Sequence, residues 1–147
     1  MPKLRQTSVS LRIFGDNLVP ATISTLMEAE PTDSRVKGES VSPTGKVRQR
    51  TGAWFREAAD RTPGDLDAQI REILEGLTSD IGVWQELTGR FACDIYCGLF
   101  MESEGDGLEL QPETIALLGD RGLRLNLQLY APVPEEPASD DVGDGSR

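Results

Sequence analysis

Apolar and polar residues alternate along three stretches of the chain, the pattern of half-buried strands. From Thr7 to Phe14, Val9, Leu11 and Ile13 fall on one face, and Ser8, Ser10 and Arg12 on the other. From Phe91 to Met101 the apolar parity is Phe91, Cys93, Ile95, Cys97 and Leu99. From Leu123 to Tyr130, Leu123, Leu125, Leu127 and Leu129 alternate with Arg124, Asn126, Gln128 and Tyr130. The middle of the chain has a different period. Leu66, Ile70, Ile73, Leu74, Leu77, Ile81, Trp84 and Leu87 recur at spacings of three and four, which predicts an amphipathic helix. Gly76 and Gly82 each cost about 1 kcal/mol relative to Ala inside a helix. Ser79-Asp80 can cap a second helix, so a break is expected near 78–80.

Local start and stop signals fill in the rest. Pro20–Met27 and Pro112–Leu118 read as short helices with Pro at the first position. Thr62-Pro63-Gly64-Asp65 reads as the start of the long helix, with Thr62 capping and Pro63 first. Gly52–Ala58 reads as a short strand, with Val36 and Val41 in its partner. The segment Leu18–Leu26 echoes Leu110–Leu118 at Leu, Pro, Thr, Ile and Leu, and each follows a strand and a Gly-Asp turn. That echo implies two pseudo-symmetric strand–helix–strand halves around the central helix.

One-sided alternation means that helices cover one sheet face and leave the other wet, since buried parallel strands would be apolar on both faces. The expected fold is therefore α+β: a two-layer sandwich with a mainly antiparallel sheet and helices on one face. The uncovered face is expected to carry Arg12, Phe14, Asp94, Tyr96, Arg124, Asn126, Gln128 and Tyr130. Residues 1–6 read as an N-terminal extension, 7–130 as a single domain and 131–147 as an acidic disordered tail.

Composition narrows the chemistry. The 147 residues contain no histidine and two cysteines. A Ser-His-Asp triad, a Cys-His pair, an HExxH zinc site and a four-cysteine zinc site are thereby excluded within the chain. Four residues along a strand span about 13 Å, too far for Cys93 and Cys97 to bridge each other. They read as small buried residues of a protein in the reducing cytoplasm. No apolar run approaches the length of a membrane span, and no secretory apolar region follows the N-terminal bases. Glu102, Glu104, Asp106, Gly107 and Glu113 fit the spacing of a calcium loop. The longer Glu at the first positions, the preceding strand and Pro112 favour a solvated turn, so neither metal nor other cofactor is expected. Asp16 and Asp106, at equivalent points of the echoed turns, read as caps of local backbone donors rather than as a catalytic pair.

The net charge is −10, with 25 acids against 15 bases. Residues 61–147 carry 6 bases and 18 acids, a field that repels nucleic acid. Bases gather instead in residues 35–50, as Arg35, Lys37, Lys46, Arg48 and Arg50. Lys37, Arg50 and Trp54 are candidates for an anion pocket, although Trp54 reads first as a core or rim aromatic and only second as a ligand platform. Arg12, Tyr96 and Arg124 are the candidates on the open sheet face.

The order of SLRIFGDNLVPATISTLM, EPT, KGE, TGAW, CGLF and LELQPETIALLGDRGLRLNLQLY resembles that of the bacterial DUF4279 family, a domain of unknown function. The likeness covers about residues 7–130 and implies an α+β domain without an assigned activity. The combined expectation is a cytoplasmic, non-catalytic binding module for another protein. One version is an inhibitor or immunity-type protein that masks a basic partner with its acidic surface. An enzyme or sensor for a small anionic metabolite is the alternative. Neither nucleic acid nor a membrane is an expected partner, and free sheet edges permit self-association.

Overall fold

The computed structural model describes residues 4–40 and 48–132. β1 (Gln6–Gly15) carries the first alternating stripe, and its odd residues Val9, Leu11 and Ile13 are buried. α1 (Pro20–Met27) starts on Pro20, whose missing N–H would have no helical partner there. β2 (Asp33–Arg35) and β3 (Gly52–Glu57) follow, then α2 (Leu66–Glu75) and α3 (Ile81–Arg90). β4 (Ala92–Phe100), α4 (Pro112–Asp120) and β5 (Arg124–Tyr130) complete the domain.

The five strands form one sheet in the order β2-β3-β1-β4-β5. β1 pairs antiparallel with β3 and β4, β2 pairs antiparallel with β3, and only β4–β5 is parallel. The stripes Val9-Leu11-Ile13 and Ile95-Cys97-Leu99 face the helices, which contribute Ile23, Met27, Ile70, Leu74, Trp84, Leu87 and Leu118 to the same core. The fold is thus α+β with a mostly antiparallel sheet, as the alternation predicts.

The echo between the halves is visible in the topology. β2 is antiparallel to β3 and β3 to β1, so β2 runs in the direction of β1. β1-α1-β2 and β4-α4-β5 are then both strand–helix–parallel strand units. They differ in that β3 is inserted between β1 and β2.

The long amphipathic stretch breaks where its glycines and Ser79-Asp80 predict. α2 ends at Gly76, and Asp80 caps α3 by accepting the Gly82 N–H at 2.9 Å. Its start differs from the expectation. Asp65, not Thr62, is the N-cap and accepts the Ala68 N–H at 3.2 Å, while Thr62–Pro63 is a cis peptide in the turn before it. The partner strand of β3 lies at Asp33–Arg35 rather than around Val36, and Val41 falls outside the described residues. Leu4, expected in an N-terminal extension, is buried in the core. The acidic segment expected to be disordered lies, beyond Pro132, outside the described residues.

Two buried polar groups tie the elements together, one between helix and sheet and one between two helices. Gln69 of α2 is inaccessible to solvent; its Nε2 donates to the Thr7 and Ala59 carbonyls, each at 2.9 Å. The Thr7 hydroxyl donates to Gln69 Oε1 and accepts the Asp65 N–H, tying β1 to the α2 cap. Asp67 accepts the Gln111 N–H at 2.8 Å and the Arg71 Nε–H at 3.0 Å, joining α2 to the start of α4. Burial raises the Asp67 carboxyl, but the Gln111 N–H and Arg71 outweigh it and leave the group below the ordinary aspartate value.

Two predictions follow from these joints. Gln69→Leu leaves the buried Thr7 hydroxyl without its acceptor and the Thr7 carbonyl with the Arg61 N–H alone, and should cost about 1–3 kcal/mol of stability, read from urea midpoints. A depressed native carboxyl stabilises the fold above the ordinary aspartate value, and that contribution is lost as pH falls through the native value. Asp67→Asn should accordingly flatten the acid limb of stability against pH, measured by urea unfolding across the acidic range.

Candidate functional site

Pleat alternation sends the even residues of β1, β4 and β5 to the face that no helix covers. There Arg12 stands directly across from Asp94 in the β1–β4 register. The guanidinium binds the carboxylate through two contacts, Nε to Oδ1 at 2.9 Å and Nη2 to Oδ2 at 2.7 Å. Asn126 of β5 reaches the same Oδ2 at 3.4 Å. Arg12 lies over the carboxylate, and Asp94 is only 8% exposed although no helix covers this face. The hydrogen bond to Asp94 raises the Arg12 value further, against a smaller opposing effect of burial.

Arginines and aromatic rings extend from this pair across the sheet. The Arg12 guanidinium sits 4.3 Å from the Tyr96 ring centre and 5.2 Å from that of Phe14. Phe14 meets Phe55 of β3 edge to face at 5.6 Å, and Arg35 of β2 lies 5.1 Å over Phe55. In the other direction, hydrogen bonding with Tyr130 raises the Tyr96 hydroxyl above the usual phenol value. Tyr130 stacks on Phe100 at 4.7 Å, and Arg5 lies 5.7 Å over the Phe100 ring. Gly98 makes room for this end: a Cβ there would come within 2.6 Å of Ser8 Oγ and 3.7 Å of the Tyr130 ring. The result is a chain of ring–ring and cation–ring contacts from β2 to β5. Each such contact contributes about 0.5–1 kcal/mol at an exposed site.

The structure separates the two groups of sequence candidates. Arg12, Tyr96 and Arg124 share the open face, Arg124 standing beside Asp94 in the β4–β5 register. Lys37, Arg50 and Trp54 do not form one pocket. Trp54 is completely buried on the helix side, where its Nε1 donates to Ser24 Oγ at 3.1 Å. Its position opposite Ile13 in the antiparallel register puts it on the core parity, which agrees with its reading as a core aromatic and removes it from the candidate anion pocket. Lys37 is held by Asp16 at 2.9 Å, an exposed pair that lowers the Asp16 carboxyl. Arg50 instead lines a hollow of about 320 Å³ with Phe14, Arg35, Arg48, Gln49, Thr51 and Ala53. The Arg48 guanidinium donates to the Gly38 carbonyl at 2.9 Å.

Phe55, Phe100, Arg5 and Arg35 are members of the face that the sequence reading missed. Phe55 follows Trp54 in the chain, so assigning Trp54 to the core parity would have placed Phe55 outside. Asp16 and Asp106 follow the C-terminal ends of the antiparallel strands β1 and β4, and therefore lie at opposite ends of the sheet. Asp106 accepts from Ser103 and the Glu102 N–H, which lowers its carboxyl, as a turn cap does. A second hollow, about 480 Å³, lies on the helix side beside Leu4, Asp67, Arg71 and Leu108.

These features define an α+β domain with a layered core and an open sheet face built from arginine and aromatic side chains. The sequence pattern of the family described as Domain of unknown function (DUF4279) matches residues 5–132, and the chain belongs to that family. No curated protein and no solved structure matches the chain. Among the described residues no helix is long and apolar enough to cross a membrane.

Removing the Arg12 guanidinium takes from the Asp94 carboxylate its bidentate partner and leaves it only the Asn126 amide and the water that can then reach it. Arg12→Met should cost about 1–2 kcal/mol, and adding Asp94→Asn should cost less on that background than in the wild type, the difference being the coupling energy that a double-mutant cycle reads. Burial, aided by the nearby Asp94 charge, pushes both Cys93 and Cys97 thiols up to about 12. Both should resist a thiol-specific reagent at mildly alkaline pH in the native protein, and react once the chain is unfolded in urea.

Proposed function

We propose that this domain is a non-catalytic binding module whose open sheet face docks an acidic patch on another protein. The observation that supports this reading is the ladder of arginines and rings across the one sheet face that helices leave uncovered. Aromatic rings and arginines are the side chains that contribute most at protein interfaces. Their mutual stacking holds them in place before any partner arrives, which reduces the ordering cost of binding.

Charge selects the partner. The chain as a whole is acidic, yet Arg5, Arg12, Arg35 and Arg124 belong to this face beside Asp33, Glu57 and Asp94, with Arg48 and Arg50 at its corner. Among the described residues, Arg12 alone of these has a bidentate internal carboxylate partner. An inhibitor or immunity-type role would follow from occupancy of the partner, through the arginine face rather than through the acidic remainder. The 320 Å³ hollow with its three arginines favours a second reading, a sensor for a small anionic metabolite. The acidic body opposes extended polyanions at long range.

Capture from native lysate, with mass spectrometry of proteins and small molecules, tests the reading. The wild-type chain should retain a protein that is released as salt screens the arginines. An Arg35→Glu/Arg50→Glu variant with an unchanged melting temperature should not retain it. A stoichiometric metabolite or oligonucleotide with no protein would overturn the proposal, as would a protein that the charge-reversed variant holds equally well.

A further inference from the structure

The two edges of the sheet differ in a way that open-face docking does not explain. β2 is three residues long, exposed and charged at both ends, an ordinary protected edge. β5 is seven residues long and pairs only with β4 among the described residues. Its helix-side residues Leu127 and Leu129 are 41% and 58% exposed, and Ile115 of α4, in the helix layer, is exposed as well. An edge strand this long, with exposed leucines and Arg124 as its one charged residue, carries none of the usual devices that prevent pairing.

The backbone faces outward at the same leucines. The Tyr130 carbonyl points into the sheet, where it accepts the Met101 N–H at 3.0 Å. Alternation along the strand then turns the N–H and C=O groups of Leu125, Leu127 and Leu129 away from β4. The sequence Arg-Leu-Asn-Leu-Gln-Leu-Tyr is also nearly palindromic in chemistry about Leu127. Reversed upon itself there, it sets leucine against leucine, Asn126 against Gln128 and Arg124 against Tyr130. No charge meets its like, and each opposed pair lies on one face.

We propose that β5 is the docking edge for a second copy of this chain, paired antiparallel across a two-fold axis through Leu127. The pairs Leu127–Leu127 and Leu125–Leu129 then exchange both backbone hydrogen bonds, and the leucines of the two copies cover one another. At the ends, each Arg124 meets the ring of Tyr130 from the other copy, in the manner already seen between Arg12 and Tyr96. The short charged β2 edge does not add further copies, so the assembly closes as a dimer with a continuous sheet. This inference does not depend on what the open face binds.

Light scattering and sedimentation of the full chain over a concentration series test it. The wild type should reach twice the 16.1 kDa chain mass. Leu127→Lys, which sets like charges against each other at the axis, should remain at the single-chain mass with unchanged circular dichroism and melting temperature. Leu129→Lys, at the more exposed position, provides the same reading if the first variant is unstable. Under mild oxidation Leu127→Cys should give a covalent dimer, because residue 127 opposes itself, whereas Leu129→Cys and the wild type should not. A wild type that stays at single-chain mass at its highest soluble concentration overturns the proposal. A lysine variant that stays dimeric, or linking at position 129 and not at 127, overturns it as well.

Discussion

The pairing of β1 with β4 is the constraint on which the rest of the structure depends. These strands share the longest register in the sheet, from Gln6–Phe100 to Phe14–Ala92. That register decides which side chains meet the helices and which meet water. A slip of one residue would turn Val9, Leu11 and Ile13 outward and bury Ser10 and Arg12 without partners. Arg12 opposite Asp94 favours the observed register from the wet side, while Leu11 beside Ile95 favours it from the dry side. The two faces of the sheet therefore specify the same alignment by unrelated forces.

Most of the architecture was legible because it is local. The stripes of β1, β4 and β5, the proline-started helices and the break between α2 and α3 all follow from patterns within a few residues. What was not legible depends on partners distant in sequence. The cap of α2 fell to Asp65 because Gly64 donates its N–H to the Leu4 carbonyl and Thr7 accepts from the Asp65 N–H, contacts that no local pattern contains. The side taken by Trp54, and with it the fate of the expected anion pocket, was fixed by its pairing with Ile13. Arg12, Tyr96 and Arg124 could be grouped from alternation alone. The ring-and-cation ladder that joins them needed Phe55 and Phe100, whose neighbours are set by strand order.

Charge is distributed unevenly for a physical reason. Most of the acidic excess lies from residue 61 onward, while the arginine-rich segments 35–50 and Arg5 and Arg12 lie near the N-terminus. The sheet gathers those early arginines onto one side by placing β1, β2 and β3 together at one end. Aromatic rings then cover the aliphatic stems and hold the guanidinium groups in a fixed array. A body of one sign presenting a patch of the other can orient an approaching partner before contact.

The insertion of β3 between β1 and β2 has a consequence for the growing chain on the ribosome. β1 is made first, yet both of its neighbours in the sheet, β3 and β4, emerge later. Its leucine-bearing side cannot be sheltered by a finished sheet until Ala92–Phe100 has left the exit tunnel. During that interval the nascent N-terminal segment offers unsatisfied pairing surface to any chaperone, or to any neighbouring polypeptide, within reach.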